Sequence, residues 1–228
     1  TIVNPNDHVN CGQSTNDVIP TAGKMTSLRL LDNLKKELLR LHTALSEKSK
    51  EFDHVIKMGR TQMQDAVPIR LGQEFHAYSV AILRDINRMD KAMDEMRSVN
   101  MGGTAVGTGI NADENYLKRI VPNLVEVSGM NFVQAFDLVD STQNLDPFVS
   151  VSGAIKACAV TLSKIANDLR LMSSGPRAGF GEINLPAKQN GSSIMPGKVN
   201  PVIPEVVNQV AFNIIGNDVT ITMAAEAG

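Results

Sequence analysis

The sequence predicts an all-α fold, an elongated bundle of long helices. Three observations carry that expectation. Apolar residues recur at spacings of three and four over several long stretches, Val and Ile are scattered among strong helix formers, and no hairpin dipeptide separates alternating runs. Residues 25–50 place leucines at 28, 31, 34, 38, 41 and 45 with Lys, Glu and Arg between them, one apolar seam along a helix. Residues 68–98 repeat the device with Leu71, Phe75, Tyr78, Ile82, Ile86, Met89, Met93 and Met96, opened by Pro68 and closed before Gly102 and Gly103. Methionines at that spacing read as core filler rather than as a ligand surface. A shorter helix is expected at 113–128, stopped by Gly129. A third long helix runs from Asp140 to Met172, with Val149, Ile155, Leu162, Ile165, Leu169 and Met172 on its apolar side. A fourth begins near Pro204 and carries Val206, Val210 and Ile214. Thirty residues of helix reach about 45 Å, against a radius of gyration of about 17 Å for a compact globule of this length, hence the elongation.

The chain has 228 residues, with 22 basic and 24 acidic side chains and a formal charge of −2. Such balance suggests neither a nucleic-acid groove nor an anionic membrane as partner. The two cysteines, Cys11 and Cys158, are too few for a disulfide framework or a zinc site and point to a reducing, cytoplasmic setting. No stretch approaches the roughly 18 uninterrupted apolar residues of a membrane span. The start, Thr-Ile-Val-Asn-Pro, reads as the interior of a longer protein.

Segments between the helices carry the chemistry. Residues 175–204 hold five of the ten prolines and five of the seventeen glycines, and a stretch this long without helix or strand is functional or disordered. Its Ile, Leu, Met and Phe argue against disorder. Gly191 to Gly197 is no phosphate-binding P-loop, since five residues rather than four separate the glycines and Val199 follows Lys198. The glycines at 102, 103, 107 and 109 make no dinucleotide fingerprint, because the third glycine of the pattern is missing and no strand is expected before them. Gln13-Ser14-Thr15-Asn16-Asp17 can be a capping turn or a set of neutral donors for a carboxylate. Gly59 to Pro68 can be a plain loop with Asp65 near a helix start. Of the four histidines, none has metal-ligand spacing, and His42 and His76 are expected on solvated helix faces. The serines lack a nucleophile-elbow context.

Taken together, three runs resemble the aspartase/fumarase superfamily of lyases. Gly-Ser-Ser-Ile-Met-Pro-Gly-Lys-Val-Asn-Pro at 191–201 resembles its signature, Gln-Ser-Thr-Asn-Asp at 13–17 its first substrate loop, and Gly-Arg-Thr-Gln-Met-Gln-Asp-Ala-Val-Pro at 59–68 its second. Within the family, Leu169 to Gly179 and Glu182 to Pro186 are most similar to the aspartate ammonia-lyases. The resemblance implies that residues 1–14 end the family's N-terminal domain and that 15–228 are its central helical domain, incomplete at the C-terminus. It implies a homotetrameric helical core with composite sites, a small dicarboxylate substrate (aspartate or fumarate), and no organic cofactor; no metal-ligand cluster is visible in the sequence. It assigns Ser192 as general base on a mobile loop, and substrate contacts to Ser14, Thr15, Asn16, Thr61, Gln62, Lys198 and Asn200. Removing a proton beside a carboxylate puts a second negative charge on that group, so donors must stand where the charge develops. Many relatives have His where this chain has Gln62. Hydroxide needs an acid to leave, whereas an ammonium already carries its protons, so Gln62 favours deamination of aspartate over hydration of fumarate. The alternatives implied are a fumarate hydratase and a non-catalytic structural protein; adenylosuccinate and argininosuccinate lyases differ more in the diagnostic loop.

Overall fold

The computed structural model describes residues 2–228; Thr1, the first residue of the predicted 1–14 segment, lies outside them. A π-helical turn, Pro5–Val9, precedes six α-helices: α1 (Thr15–Glu51), α2 (Leu71–Met96), α3 (Glu114–Ser128), α4 (Leu138–Gln143), α5 (Asp146–Met172) and α6 (Val202–Ala227). Four short strands complete the described residues: β1 (Ile56–Thr61), β2 (Gln64–Arg70), β3 (Ser98–Val99) and β4 (Val133–Gln134). The fold is all-α, a bundle of long helices. Two compact units partition the chain. One comprises the residues up to Glu37 with Asn87–Ser152 and Thr220–Gly228, the other Leu38–Ile86 with Gly153–Val219.

In the first unit, Leu28, Leu31, Met89, Met93, Met96, Val99, Val121 and Phe132 are buried. β3 and β4 pair in parallel, Ser98 with Val133 and Val99 with Gln134. α3 starts at Asp113, whose carboxylate accepts the N–H groups of Asn115 and Tyr116, and stops at Gly129, at φ 67°, where a left-handed residue closes the helix. The predicted third long helix is divided: α4 ends at Gln143, its cap Asn144 is in extended conformation, and α5 begins at Asp146.

In the second unit, Leu38, Leu45, Leu71, Phe75, Tyr78, Ile82, Ile86, Cys158, Ile165 and Met172 are buried. Phe75 packs edge-on against Phe52 at 5.2 Å and against Tyr78 at 5.8 Å. Every one of the eight apolar residues expected to line the second helix is buried, methionines included. On α5 the tightly buried side includes Ala154, Cys158, Ala159, Ile165, Ala166 and Met172, while Ile155, Leu162 and Leu169 are only half-buried. By length and composition alone α5 could cross a membrane. Its Lys156 and Lys164, paired with Asp218 and Asp168, and its buried small residues mark a core helix instead.

Three expectations are corrected. Residues 56–70 form an antiparallel hairpin, not a loop, with Thr61 opposite Gln64 and Arg60 opposite Asp65. Gln62 and Met63 both take positive φ, 52° and 61°, as a two-residue hairpin turn of matching twist requires. A bulge lies between Met58 and Arg60, and a Cβ on Gly59 there would meet the Val67 carbonyl oxygen at 2.8 Å. Pro68 therefore belongs to β2, and α2 opens at Leu71; a two-stranded ribbon consists only of edges, where Pro is tolerated. α6 is the second correction. Val206 and Val210 are exposed, and the helix turns Asn208, Ala211 and Asp218 inward. Asn208 can be buried because its amide donates to the Ser163 carbonyl (3.1 Å) and hydroxyl (2.8 Å) and accepts from Arg170 (3.0 Å). The third is His42, which is half-buried, not solvated: its Nδ1 is 2.9 Å from the Ser79 hydroxyl and 3.0 Å from the Ser79 carbonyl. Ser79 is 2% exposed, so this pair offers no nucleophile to a substrate.

Candidate functional site

In the first unit Ser14, Thr15 and Asn16 stand at the start of α1. Ser14 caps the helix, its hydroxyl accepting the Asn16 N–H at 3.2 Å, and Asp17 returns the bond by accepting the Ser14 N–H at 2.9 Å. The capping reading thus holds for Ser14, and it leaves Thr15 and Asn16 exposed on the first turn. Asp17, wholly buried, does more than cap: its other oxygen accepts the N–H groups of Gly102 (3.2 Å) and Thr104 (3.1 Å). The Asn16 side chain donates to the Ala105 carbonyl at 2.7 Å. Pro20, inside α1, has no N–H to give the Asn16 carbonyl one turn earlier. The Asn100 amide takes that carbonyl instead, at 2.9 Å. Thr104 sits at φ 57°, where a β-branched residue is strained. The Ser14 to Asn16 run is therefore held rigidly against the 100–105 turn. Asp17 and Asn100 were not among the predicted site residues. For Asp17 the signal was present, an acidic residue three positions after Ser14; for Asn100 nothing local announces a partner 84 residues away.

In the second unit Thr61 and Gln62 are exposed at the tip of the β1–β2 hairpin. Ser192, Lys198 and Asn200 lie on an irregular segment between α5 and α6. The segment folds back on itself, the Ser192 N–H donating to the Lys198 carbonyl at 3.3 Å and the Lys198 N–H to the Met195 carbonyl at 3.1 Å. Ser192 is half-buried, while the Lys198 side chain is open to solvent. Among the described residues no hydrogen bond joins Thr61 or Gln62 to Ser192, Lys198 or Asn200.

Beside the hairpin lies a charged cluster that the sequence did not reveal. Glu182 bonds Arg60 and sits 2.8 Å from the Lys57 ammonium, which also pairs with Glu74 at 2.9 Å. The Phe180 ring covers the Arg60 guanidinium at 4.0 Å. Burial disfavours the charge on Glu182, yet hydrogen bonds from Arg60 and Lys57 and their positive charges outweigh it and hold its carboxyl below the usual carboxylate range. Nearby Tyr78 donates to Asp168 at 2.9 Å, and burial together with that carboxylate pushes its phenol up. Lys57, Arg60, Glu74, Tyr78 and Asp168 line a pocket of about 320 Å³ together with Met63. Among the described residues no three His, Cys, Asp or Glu side chains gather as metal ligands.

A family model described as Lyase matches residues 1–216. An aspartate ammonia-lyase of Bacillus subtilis is 58% identical over 226 residues, which are 99% of this chain and 48% of the relative. A solved structure described as a fumarate lyase:delta crystallin from Brucella melitensis bound to cobalt superposes with a TM-score of 0.96 at 53% identity, covering 100% of this chain and 49% of that one. A recombinant class II fumarase from Schistosoma mansoni superposes with a TM-score of 0.94 at 36% identity, covering 99% of this chain and 50% of the other. The chain spans about half the length of the curated relatives it matches. Motifs, helical core and matches along nearly the whole chain agree, and the chain belongs to the aspartase/fumarase superfamily of lyases.

Proposed function

We propose that the protein carrying this chain deaminates L-aspartate reversibly to fumarate and ammonia. The observation that carries this reading is the 58% identity to an aspartate ammonia-lyase, against 36% to a class II fumarase of nearly the same backbone. Gln62 supports it, since an ammonium departs without an acid at that position.

In this reading Ser192, as alkoxide, takes the proton from the carbon next to one substrate carboxylate. The electron pair left behind moves into that carboxylate, giving an aci-carboxylate with two negative charges. Its collapse forms the carbon–carbon double bond and expels ammonia from the opposite face. Lys198 faces the charge as it grows, and Ser14, Thr15, Asn16, Thr61, Gln62 and Asn200 supply neutral donors. The exposure of Thr15, Asn16, Thr61, Gln62 and Lys198 supports contacts beyond their own chain. So does α6, where Ile203, Val206, Val210, Phe212 and Val219 are all more than half exposed. The assembly in this reading is a homotetramer, in the cytoplasm, with each site drawn from three subunits. Residues 1–14 close an N-terminal domain, and 15–228 belong to the central helical domain.

The test is to offer the full-length protein L-aspartate and L-malate separately and to follow fumarate by its ultraviolet absorbance. Fumarate from aspartate, with turnover lost by several orders of magnitude in Ser192→Ala at unchanged helicity, is the expected result. Fumarate from malate alone would hand the protein to the hydratases, and no fumarate from either would favour a structural role. A tenth of parental activity in Ser192→Ala would sink the base assignment.

A further inference from the structure

Between the end of α5 at Met172 and the start of α6 at Val202 the chain forms neither helix nor strand. Its upstream third is nonetheless tightly tied. The Gly181 N–H donates to the Ser174 carbonyl at 2.9 Å, and the Glu182 N–H donates to the Met172 carbonyl at 2.8 Å. The Glu182 side chain then crosses to β1. It joins Arg60 and Lys57, with only 16% of Glu182, 18% of Arg60 and 9% of Lys57 left exposed. Phe180 closes over Arg60 from the same segment. Downstream of Glu182, by contrast, the backbone bonds of 191–200 are made within the segment itself.

Charge-assisted bonds at this degree of burial are the strong kind, and three groups on β1 and the segment converge on one point. Removing that point would leave the root of the segment held to the end of α5 only by the backbone bonds of Gly181 and Glu182, with no charged tie to β1, so that the ten residues leading to Ser192 would start from a looser anchor. We propose that Glu182 is a positioning residue: by bridging Arg60 and Lys57 it fixes the root of the signature segment to strand β1, so that Ser192 and Lys198 approach substrate from a set hinge. The inference rests on the reading of Ser192 and Lys198 as the reacting groups, while the tie itself stands on contacts alone. Neither Glu182 nor Phe180 touches substrate in this scheme.

The experiment uses the full-length protein and three variants: Glu182→Gln, which keeps the shape and removes the charge; Glu182→Asp, which keeps the charge on a shorter arm; and Phe180→Leu. Two quantities are read. One is tryptic cleavage after the exposed Lys188, which needs no catalytic activity and reports the order of the segment. The other is the steady-state kinetics of fumarate release from aspartate. Glu182→Gln is expected to speed cleavage severalfold and to lower kcat by about ten- to a hundredfold, the scale of a small misplacement of reacting groups. KM should change little, because the substrate is gripped chiefly by the other loops. Glu182→Asp should recover part of kcat and slow the cleavage again, which a general loss of folding would not do. Should Glu182→Gln fail to fold, Phe180→Leu carries the test, with the same direction and a smaller effect. Unchanged cleavage, unchanged kcat, or a kcat loss without faster cleavage overturns the proposal. Parent protein that releases no fumarate from aspartate overturns the catalytic reading instead, leaving the cleavage result to judge the tie.

Discussion

Replacing Asp17 by Asn keeps the outline of the side chain and removes its charge, at a position with no solvent to compensate. Three backbone N–H groups aim at the carboxylate: Ser14 at one oxygen, Gly102 and Thr104 at the other. An amide presents one acceptor and one donor, so its better orientation keeps the oxygen towards Gly102 and Thr104 and turns the NH2 against the Ser14 N–H. Two bonds fall from charged to neutral strength, a loss of about 1 kcal/mol each. The third becomes a donor facing a donor, which costs about 1–3 kcal/mol for the stranded group. Partial relaxation of the α1 start brings the expected total to about 2–4 kcal/mol, read as a lower urea midpoint at constant m-value. Catalysis of fumarate formation should fall as well, since the same bonds hold the Ser14 to Asn16 run against the 100–105 turn. A stability loss below about 1 kcal/mol would refute the reasoning, because it would mean that water replaces these bonds freely.

Lys198→Met is expected to lower kcat/KM for aspartate by about a hundredfold or more, the usual scale for removing a donor aimed at developing charge; Lys198→Arg should recover little, a planar fork being a poor stand-in for a compact ammonium. An unchanged kcat/KM in steady-state assays would remove Lys198 from the site. The lowered pKa of Glu182 makes a statement about acid. Its pairing stabilises the folded form above the ordinary value of 4.5, and that contribution is lost as pH falls through the depressed folded value. Urea titrations from pH 7 to 3 should find Glu182→Gln less stable than the parent at neutral pH, with the gap narrowing in acid. Val206→Lys with Val210→Lys on the exposed side of α6 should convert the protein to smaller species in sedimentation, whereas an unchanged mass would place the contacts elsewhere.

The helices were legible where the partner of each side chain lies on the same stripe. α2 is the clearest, all eight predicted residues from Leu71 to Met96 being buried. α6 was misread because periodicity assumes that apolar residues face inward, whereas Asn208 is held inside by Ser163 and Arg170, which lie on another helix. The hairpin escaped because Gln62 and Met63 are not residues that ordinarily favour positive φ, so the turn carried no compositional mark. Candidate site residues were legible as motifs, and the structure adds what holds them. Asp17 bonds residues 85 and 87 positions away and Glu182 bonds one 122 positions away. Such pairings leave no local pattern in a single sequence.

The proline in α1 also has a kinetic meaning. A helix start usually forms early, because its bonds join residues close in sequence. Here the carbonyl of Asn16 lacks its local partner at Pro20 and is satisfied only when Asn100 arrives from 84 residues away. Closing that loop is entropically expensive and slow compared with winding the leucine-rich stretch that follows. Amides in the first turn of α1 should thus gain protection from hydrogen exchange only after those around Leu28 and Leu31. The Ser-Thr-Asn run would then take its final form among the last parts of its unit, at the moment the 100–105 turn docks.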